Sequence, residues 1–266
     1  MEAEPETRVA VSWRLLLAIG VATGLLSGLL GVGGGIVMVP ALVALGYTRH
    51  RANATSLAAI VLVALAGTIS FASAESVDWR VGLFVGLGGI VGSTAGATLM
   101  KHLSGPMLGT IFGIVLLLAG LRMAIGGDLG TGAITSSEVW KATIEILIGA
   151  LAGIASGLAG VGGGTVMVPA MVFLLGVGQH TAEGTSLLAI LFTALAATRV
   201  NVRNGYVDWR AMGILGVVGA ATAPLATLLA LQIPAATLSR VFGLFLIALA
   251  IQTIVKNRKA PEPVPA

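Results

Sequence analysis

Residues 28–40 read Gly28-Leu29-Leu30-Gly31-Val32-Gly33-Gly34-Gly35-Ile36-Val37-Met38-Val39-Pro40, and the chain writes them again as Gly157-Leu158-Ala159-Gly160-Val161-Gly162-Gly163-Gly164-Thr165-Val166-Met167-Val168-Pro169. The copies lie 129 positions apart, and residues 20–41 laid over 149–170 give 15 identities in 22. Shared apolar composition does not produce that match, so one half of the chain is a copy of the other. Glycine lets the backbone leave the helix and adopt positive φ, and costs about 1 kcal/mol relative to alanine inside a helix. Three adjacent glycines in an apolar run therefore argue for a break. The pieces that follow, Ile36 to Leu45 and Thr165 to Leu175, reach only about half a bilayer at ~1.5 Å per residue. A helix that starts near the midplane presents unpaired N–H groups and the positive end of its dipole, which suits an anion. Broken helices in matching positions of two halves point to a transporter's substrate site. Gly33, Gly34, Gly35, Gly162, Gly163 and Gly164 are accordingly the first candidates for substrate contact. The competing reading is that they only permit close helix packing, as Gly24, Gly28, Gly149, Gly153 and Gly157 do at four-residue spacing.

Working outward, the whole chain has the composition of a membrane protein. It is 56% hydrophobic and 10% charged, with a mean hydropathy of +1.01, outside the range of soluble domains. Apolar runs of spanning length recur at Trp13–Leu30, Ala54–Ala74, Val81–Met100, Met107–Ile125, Ala142–Gly160, Thr185–Val200, Ala211–Leu231 and Leu238–Val255. The fold expected is an all-α polytopic membrane protein of two homologous halves, each a glycine-broken hairpin followed by three transmembrane helices. Its parts are a tail at 1–12, a first repeat at 13–126, a linker at 127–138, a second repeat at 139–256 and a disordered tail at 257–266. Glu2, Glu4 and Glu6 and the length of the first apolar run argue against a cleaved signal peptide. Without cysteine there are no disulfides and no thiolate-metal or haem-attachment sites. The pI near 10.0 comes from basic residues spread over loops, which is not the clustered patch of a nucleic-acid binder.

Those basic residues report topology. If each opening stretch is a hairpin, each half crosses three times and the halves are inverted. Eleven Lys and Arg then share the face of the termini, against four (Arg80, Arg122, Lys141 and Arg240) on the other. The positive-inside rule makes the first face cytoplasmic. Four crossings per half, a parallel repeat, gives the same count, so charge does not choose between the two. The half-length second arm favours the inverted arrangement.

Several polar residues could carry chemistry. Thr55-Ser56 and Thr185-Ser186 open the spans after the hairpins, and their hydroxyls could hydrogen-bond an oxyanion; they could equally be N-caps, with Asn53 or Glu183 contributing. Asp78 and Asp208, in the repeated Val-Asp-Trp-Arg runs, suit a cap or an ion pair, and Trp79 and Trp209 suit interfacial anchors. Of the deep basic residues Arg122, Arg199 and Arg240, Arg199 with Asn201 is the first choice for an additional anion contact. Glu145 fits an i,i+4 pair with Lys141 at least as well as a proton-coupling role, and His50 and His180 fit solvated or capping loop residues better than a proton relay. The Gly31-x-Gly33 run has Ile36 where a dinucleotide fingerprint needs glycine, and neither a phosphate loop nor a His-Glu-x-x-His motif is present. Neither catalysis nor ATP hydrolysis is expected, and no cofactor or metal site.

The doubled Gly-x-Gly-Gly-Gly-x-x-x-Val-Pro pattern, the Thr-Ser-Leu runs at 55–57 and 185–187, and the Val-Asp-Trp-Arg runs at 77–80 and 207–210 resemble the TauE/SafE family of membrane permeases. The likeness runs from about Arg14 to Ile254. It implies a secondary permease that exports sulfite or a small organosulfonate across the cytoplasmic membrane, with both termini cytoplasmic. The partners expected are the anionic substrate, the bilayer, a coupling ion (H+ or Na+) and a second copy of the chain, with no nucleic acid. Two other readings stay open: a non-transporting partner or scaffold of a membrane assembly, and a passive anion channel.

Overall fold

A computed structural model gives the fold and describes residues 12–99, 105–126, 137–159 and 162–258. Most of the expected tails and of the linker lies outside the described residues. Within them the chain is entirely helical: α1 Trp13–Leu30, α2 Gly35–Ala44, α3 Arg49–Ser73, α4 Trp79–Leu99, α5 Gly105–Ile125, then α6 Glu138–Ala159, α7 Gly164–Leu175, α8 Gln179–Arg203, α9 Trp209–Gln232 and α10 Ala235–Arg258. Six of them, α1, α3, α6, α8, α9 and α10, are long and apolar enough to cross a membrane over described residues. The second half repeats the first, α6–α10 answering to α1–α5.

The breaks fall on the glycines. Gly31 ends α1 with φ +65° and donates its N–H to the Ser27 carbonyl at 2.8 Å. Gly33 and Gly34 follow at φ +76° and +77°, and Gly162 and Gly163 take +84° and +81° in the second copy. Side chains disfavour that left-handed region, so the first two glycines of each triplet are a backbone requirement. Both short helices carry a proline, Pro40 and Pro169.

Small residues set the packing between halves. Gly20, Gly24 and Gly28 of α1 face Val218, Gly219 and Ala223 of α9, and a Cβ on Gly24 would lie 2.4 Å from the Gly219 carbonyl oxygen. In the other half Gly149 and Gly153 of α6 face Val85 and Gly89 of α4. Residue numbers rise together in both pairs, so the helices of each pair run parallel, backbone nearly on backbone. By the same criterion α3 is parallel to α9, through Gly216 on Ala59 and Gly219 on Val63, and α8 is parallel to α4, through Gly82 on Leu188 and Gly86 on Phe192. Contacts of Gly67 with Leu187 and of Gly184 with Phe71 run the other way, making α3 and α8 antiparallel; Gly113 on Ile254 and Gly120 on Gly243 do the same for α5 and α10.

Because α1 and α3 both run with α9, α2 has to return between them, and α7 returns likewise between α6 and α8. Each opening stretch is thus a hairpin and not one kinked helix. The starts of α3 and α8 differ from the expected positions. They begin at Arg49 and Gln179, capped at Thr48 and Gly178, one to two turns before Thr55 and Thr185. Polar first turns hid these starts from a reading by hydropathy.

Candidate functional site

The two breaks meet at the centre of the protein. A Cβ on Gly164 would lie 2.6 Å from the Gly31 carbonyl oxygen and 2.7 Å from Val32 Cα, and one on Gly162 would lie 3.4 Å from the Val32 carbonyl oxygen. Ile190 of α8 borders Gly33, Gly162 and Gly164, and Ile60 of α3 borders Gly33 and Gly162. Both isoleucines sit near the middle of 25-residue helices, so the breaks lie near mid-depth. There α2 and α7 begin, with no acidic side chain in either first turn. Two helix N-termini that converge in the interior, each with unpaired N–H groups, are electropositive without any cationic side chain.

Fully buried hydroxyls surround them. Thr23, Ser27, Ser56 and Thr165 are each 0% exposed, and among the described residues their oxygens have no hydrogen-bond partner. Thr23 packs directly on Gly34, Thr165 stands in the first turn of α7, and Ser56 stands one turn before Ile60. A buried polar group without a partner costs about 1–3 kcal/mol, so four around one pair of breaks call for an explanation, and a polar ligand or water supplies one. Two of the four have different repeat partners: Ile36 stands where the second half has Thr165, and Ala152 where the first has Thr23, while Ser27 and Ser56 recur as Ser156 and Ser186. The site is therefore pseudo-symmetric in backbone and only partly so in side chains.

Other candidates have different places. Thr55 accepts the backbone N–H of Asp208 at 3.0 Å, and Thr185 accepts that of Asp78 at 2.9 Å. Each threonine is thus a cross-half latch that holds α3 to the start of α9, or α8 to the start of α4, and neither is an N-cap. Ser186 donates to the Gly31 carbonyl, which places it at the break. Arg199 and Asn201 are not brought there: Arg199 is exposed, about 14 Å along α8 from Ile190, and Asn201 donates to the Ala197 carbonyl at 3.0 Å. Arg122 and Arg240 are likewise exposed.

Asp208 caps α9 through the N–H groups of Arg210 and Ala211 and accepts the Tyr47 hydroxyl at 2.7 Å. Burial opposes its charge, yet these donors and Arg51 hold its carboxyl below the usual carboxylate range. Burial and the bond to Asp208 push the Tyr47 phenol up. Asp78 caps α4 through Val81, while Trp79 and Trp209 are 60% and 59% exposed, as interfacial anchors require. The expected Lys141–Glu145 pair gives way to another arrangement. Glu145, buried on α6, pairs with Arg80 of α4 at 2.9 Å, and Lys141 pairs with Glu138 at 3.0 Å. The ion pair across α4 and α6 is available because those helices pack closely, which spacing along α6 alone does not reveal. His50 and His180 lie in helical first turns: His50 stacks on Tyr206, and His180 directs Nε2 at the Ala230 and Ile233 carbonyls, 3.1 and 3.2 Å away.

A reading of motifs missed Thr23, Ser27 and Thr165, which carry a signal only as hydroxyls flanking the glycines. It also gave Glu183 no more than a capping role. Glu183 is 0% exposed, against the C-terminal end of α1, where a Cβ on Gly31 would lie 2.6 Å from its Cα.

Taken together, the fold and the site define a polytopic helical membrane protein of two interlocked halves whose half-helices meet at mid-depth. The chain belongs to the TauE/SafE sulfite exporter family, whose description matches residues 15–182 and again 144–266. It is 34% identical over 250 residues to a probable membrane transporter protein of Xylella fastidiosa (strain 9a5c), covering 91% of this chain and 96% of that one. The probable membrane transporter protein YunE of Bacillus subtilis is 29% identical over 222 residues, 75% and 81% of the two chains. MJ0441 of Methanocaldococcus jannaschii, also a probable membrane transporter protein, is 24% identical over 226 residues, 82% and 81%. No solved structure matches. The protein is a multi-pass membrane transporter of this family.

Proposed function

We propose that the chain is a secondary permease that exports a small anion, with sulfite or a small organosulfonate as the first candidates, across the cytoplasmic membrane. The observation that carries this reading is the meeting of the two glycine breaks, Gly164 against the Gly31 carbonyl, with the starts of α2 and α7 and four unpartnered buried hydroxyls around it. Discontinuous helices that aim their N-termini at an anionic group are a recurrent solution to binding at the membrane midplane. Sulfite enters from the family description alone; the named relatives carry no cargo in their names. The antiparallel run of α3 and α8 supports an inverted repeat built around a fixed site. The excess of Lys and Arg on the face of the termini supports a cytoplasmic position for them.

The test is counterflow in proteoliposomes with sulfite, sulfoacetate and sulfate, and with chloride and a cation as controls. Saturable exchange of one sulfur oxyanion is expected. Unsaturable flux would turn the reading to a channel. The absence of exchange by folded protein, together with a stably co-purifying partner, would turn it to a scaffold.

A further inference from the structure

The two copies of the segment after each hairpin are not equivalent. Arg49-His50-Arg51-Ala52-Asn53 opens α3, and Gln179-His180-Thr181-Ala182-Glu183 opens α8. The first carries two arginines and a neutral amide, the second a carboxyl and no arginine. Glu183 is fully buried and Gln179 is 5% exposed. Gln179 Nε2 donates to Glu183 Oε1 at 2.7 Å. The other oxygen of each side chain, Glu183 Oε2 and Gln179 Oε1, has no partner.

We propose that Glu183 is the proton site that couples transport, taking up one proton on Oε2 and giving it up in each cycle. The inference rests on the permease reading. An ionised carboxylate buried with no cation beside it is strongly disfavoured, because burial removes its solvation without supplying a counter-charge. Among the described residues Glu183 forms no ion pair; those observed involve Arg80, Lys141, Glu138 and Glu145. The titratable groups on the elements packed around this part of α8 are His180, Glu75 and Asp78 of the α3–α4 turn, Arg80 of α4 and Arg240 of α10. His180 is engaged with the Ala230 and Ile233 carbonyls and Arg80 with Glu138 and Glu145. The Asp78 carboxylate accepts from the Val81 N–H. Arg240 is exposed, and among the described residues none of these groups is ion-paired with Glu183.

One added proton removes the difficulty. It turns Oε2 into a donor, and the acceptor lacking a partner in the same side-chain pair is Gln179 Oε1, so one proton serves both atoms. The carboxyl also lies where protonation can be felt at the substrate site. The end of α1 packs on the Glu183 backbone at Gly31, Ser186 holds the Gly31 carbonyl, and Gly31 leads into the start of α2. Losing the proton puts a negative charge beside the break, which opposes an anion there and strains the packed state. A sodium ion is the less suitable occupant, because the pair offers it only two free oxygens.

Two measurements test this. The first is independent of cargo: infrared difference spectra, wild type minus Glu183→Gln, recorded as pH is raised. The carbonyl band of a protonated carboxyl, replaced by carboxylate bands at higher pH, is the expected result. Carboxylate bands alone at every pH, or no titration at all, would overturn the assignment. The second is transport in proteoliposomes. A pH gradient is expected to change net flux of the exchanged anion by about tenfold, within the usual range for coupled sites, and Glu183→Gln is expected to reduce that ratio to one while exchange at equal pH continues. A ratio unchanged in Glu183→Gln, or a sodium gradient that drives flux only when Glu183 is present, would overturn proton coupling. Titration in the spectra without any anion exchange by the wild type would refute the permease reading and leave the proton site standing.

Discussion

Gly164 is the point where the two halves come closest at the breaks, and replacing it with alanine tests whether that approach matters. Its backbone is ordinary helix, so alanine adds no backbone strain, and an isolated helix would gain about 1 kcal/mol from the change. Here the added Cβ would lie 2.6 Å from the Gly31 carbonyl oxygen and 2.7 Å from Val32 Cα. Both are backbone atoms, which cannot swing aside as a side chain does. To reach an ordinary contact of 3.4 Å the two breaks must part by about 0.8 Å, and overpacking of this kind costs about 1–3 kcal/mol. At ~1.4 kcal/mol per factor of ten, the closely packed state falls about 5- to 150-fold. The control is Gly213→Ala in α9, where a Cβ meets nothing within 4 Å; there the helix-propensity gain should stand, up to about 1 kcal/mol. Reversible unfolding in mixed micelles reads both changes, and anion counterflow reads the consequence. Gly164→Ala as stable and as active as wild type would refute the close meeting of the breaks.

Three further outcomes follow from the contacts around this centre. Thr55→Val and Thr185→Val each leave a backbone N–H without its acceptor and are expected to cost about 1–3 kcal/mol in the same unfolding assay; neutral effects would show that the latches contribute nothing. Arg80→Met strands the buried Glu145 carboxylate, and because Arg80 is itself 43% exposed the loss should fall at or below the lower end of the ~3–5 kcal/mol seen for broken buried pairs. Adding Glu145→Met should restore most of it, and a double variant no better than the single one would argue against the pair. Asp208, held below the usual carboxylate range in the folded protein, adds stability that is present above its unfolded value and lost as pH falls through the folded one. Asp208→Asn should therefore flatten the loss of stability below about pH 4, and an unchanged acid limb in a pH series of unfolding curves would contradict this.

The hairpins could be read from the sequence because the glycine triplets carry a local demand, positive φ at Gly33, Gly34, Gly162 and Gly163, that other residues seldom meet. Close packing at Gly24, Gly28, Gly149 and Gly153 was legible for a similar reason: four-residue spacing puts bare backbone on one helix face. What that face touches was not legible. That α1 lies on α9 and α6 on α4 is a property of the assembled halves, and the pairing of Glu145 with Arg80 follows from it. The starts of α3 and α8 were missed because Arg49, His50, Arg51, Gln179 and Glu183 make those turns look like loop. Glu183 was read only as a capping residue for the same reason, since its burial depends on the end of α1. Arg199 misled because position along a helix reveals depth but not facing, and its side chain turns outward.

The central claim is that both breaks together hold the anion, and saturable sulfite counterflow by Gly34→Leu and Gly163→Leu proteins, with insertion and folding verified, tests it most directly. Each side chain would enter a left-handed position, at φ +77° and +81°, against Thr23 in one case and the Ala152 carbonyl in the other. Loss of exchange in both variants is the expected result; near-normal exchange in both would contradict the account.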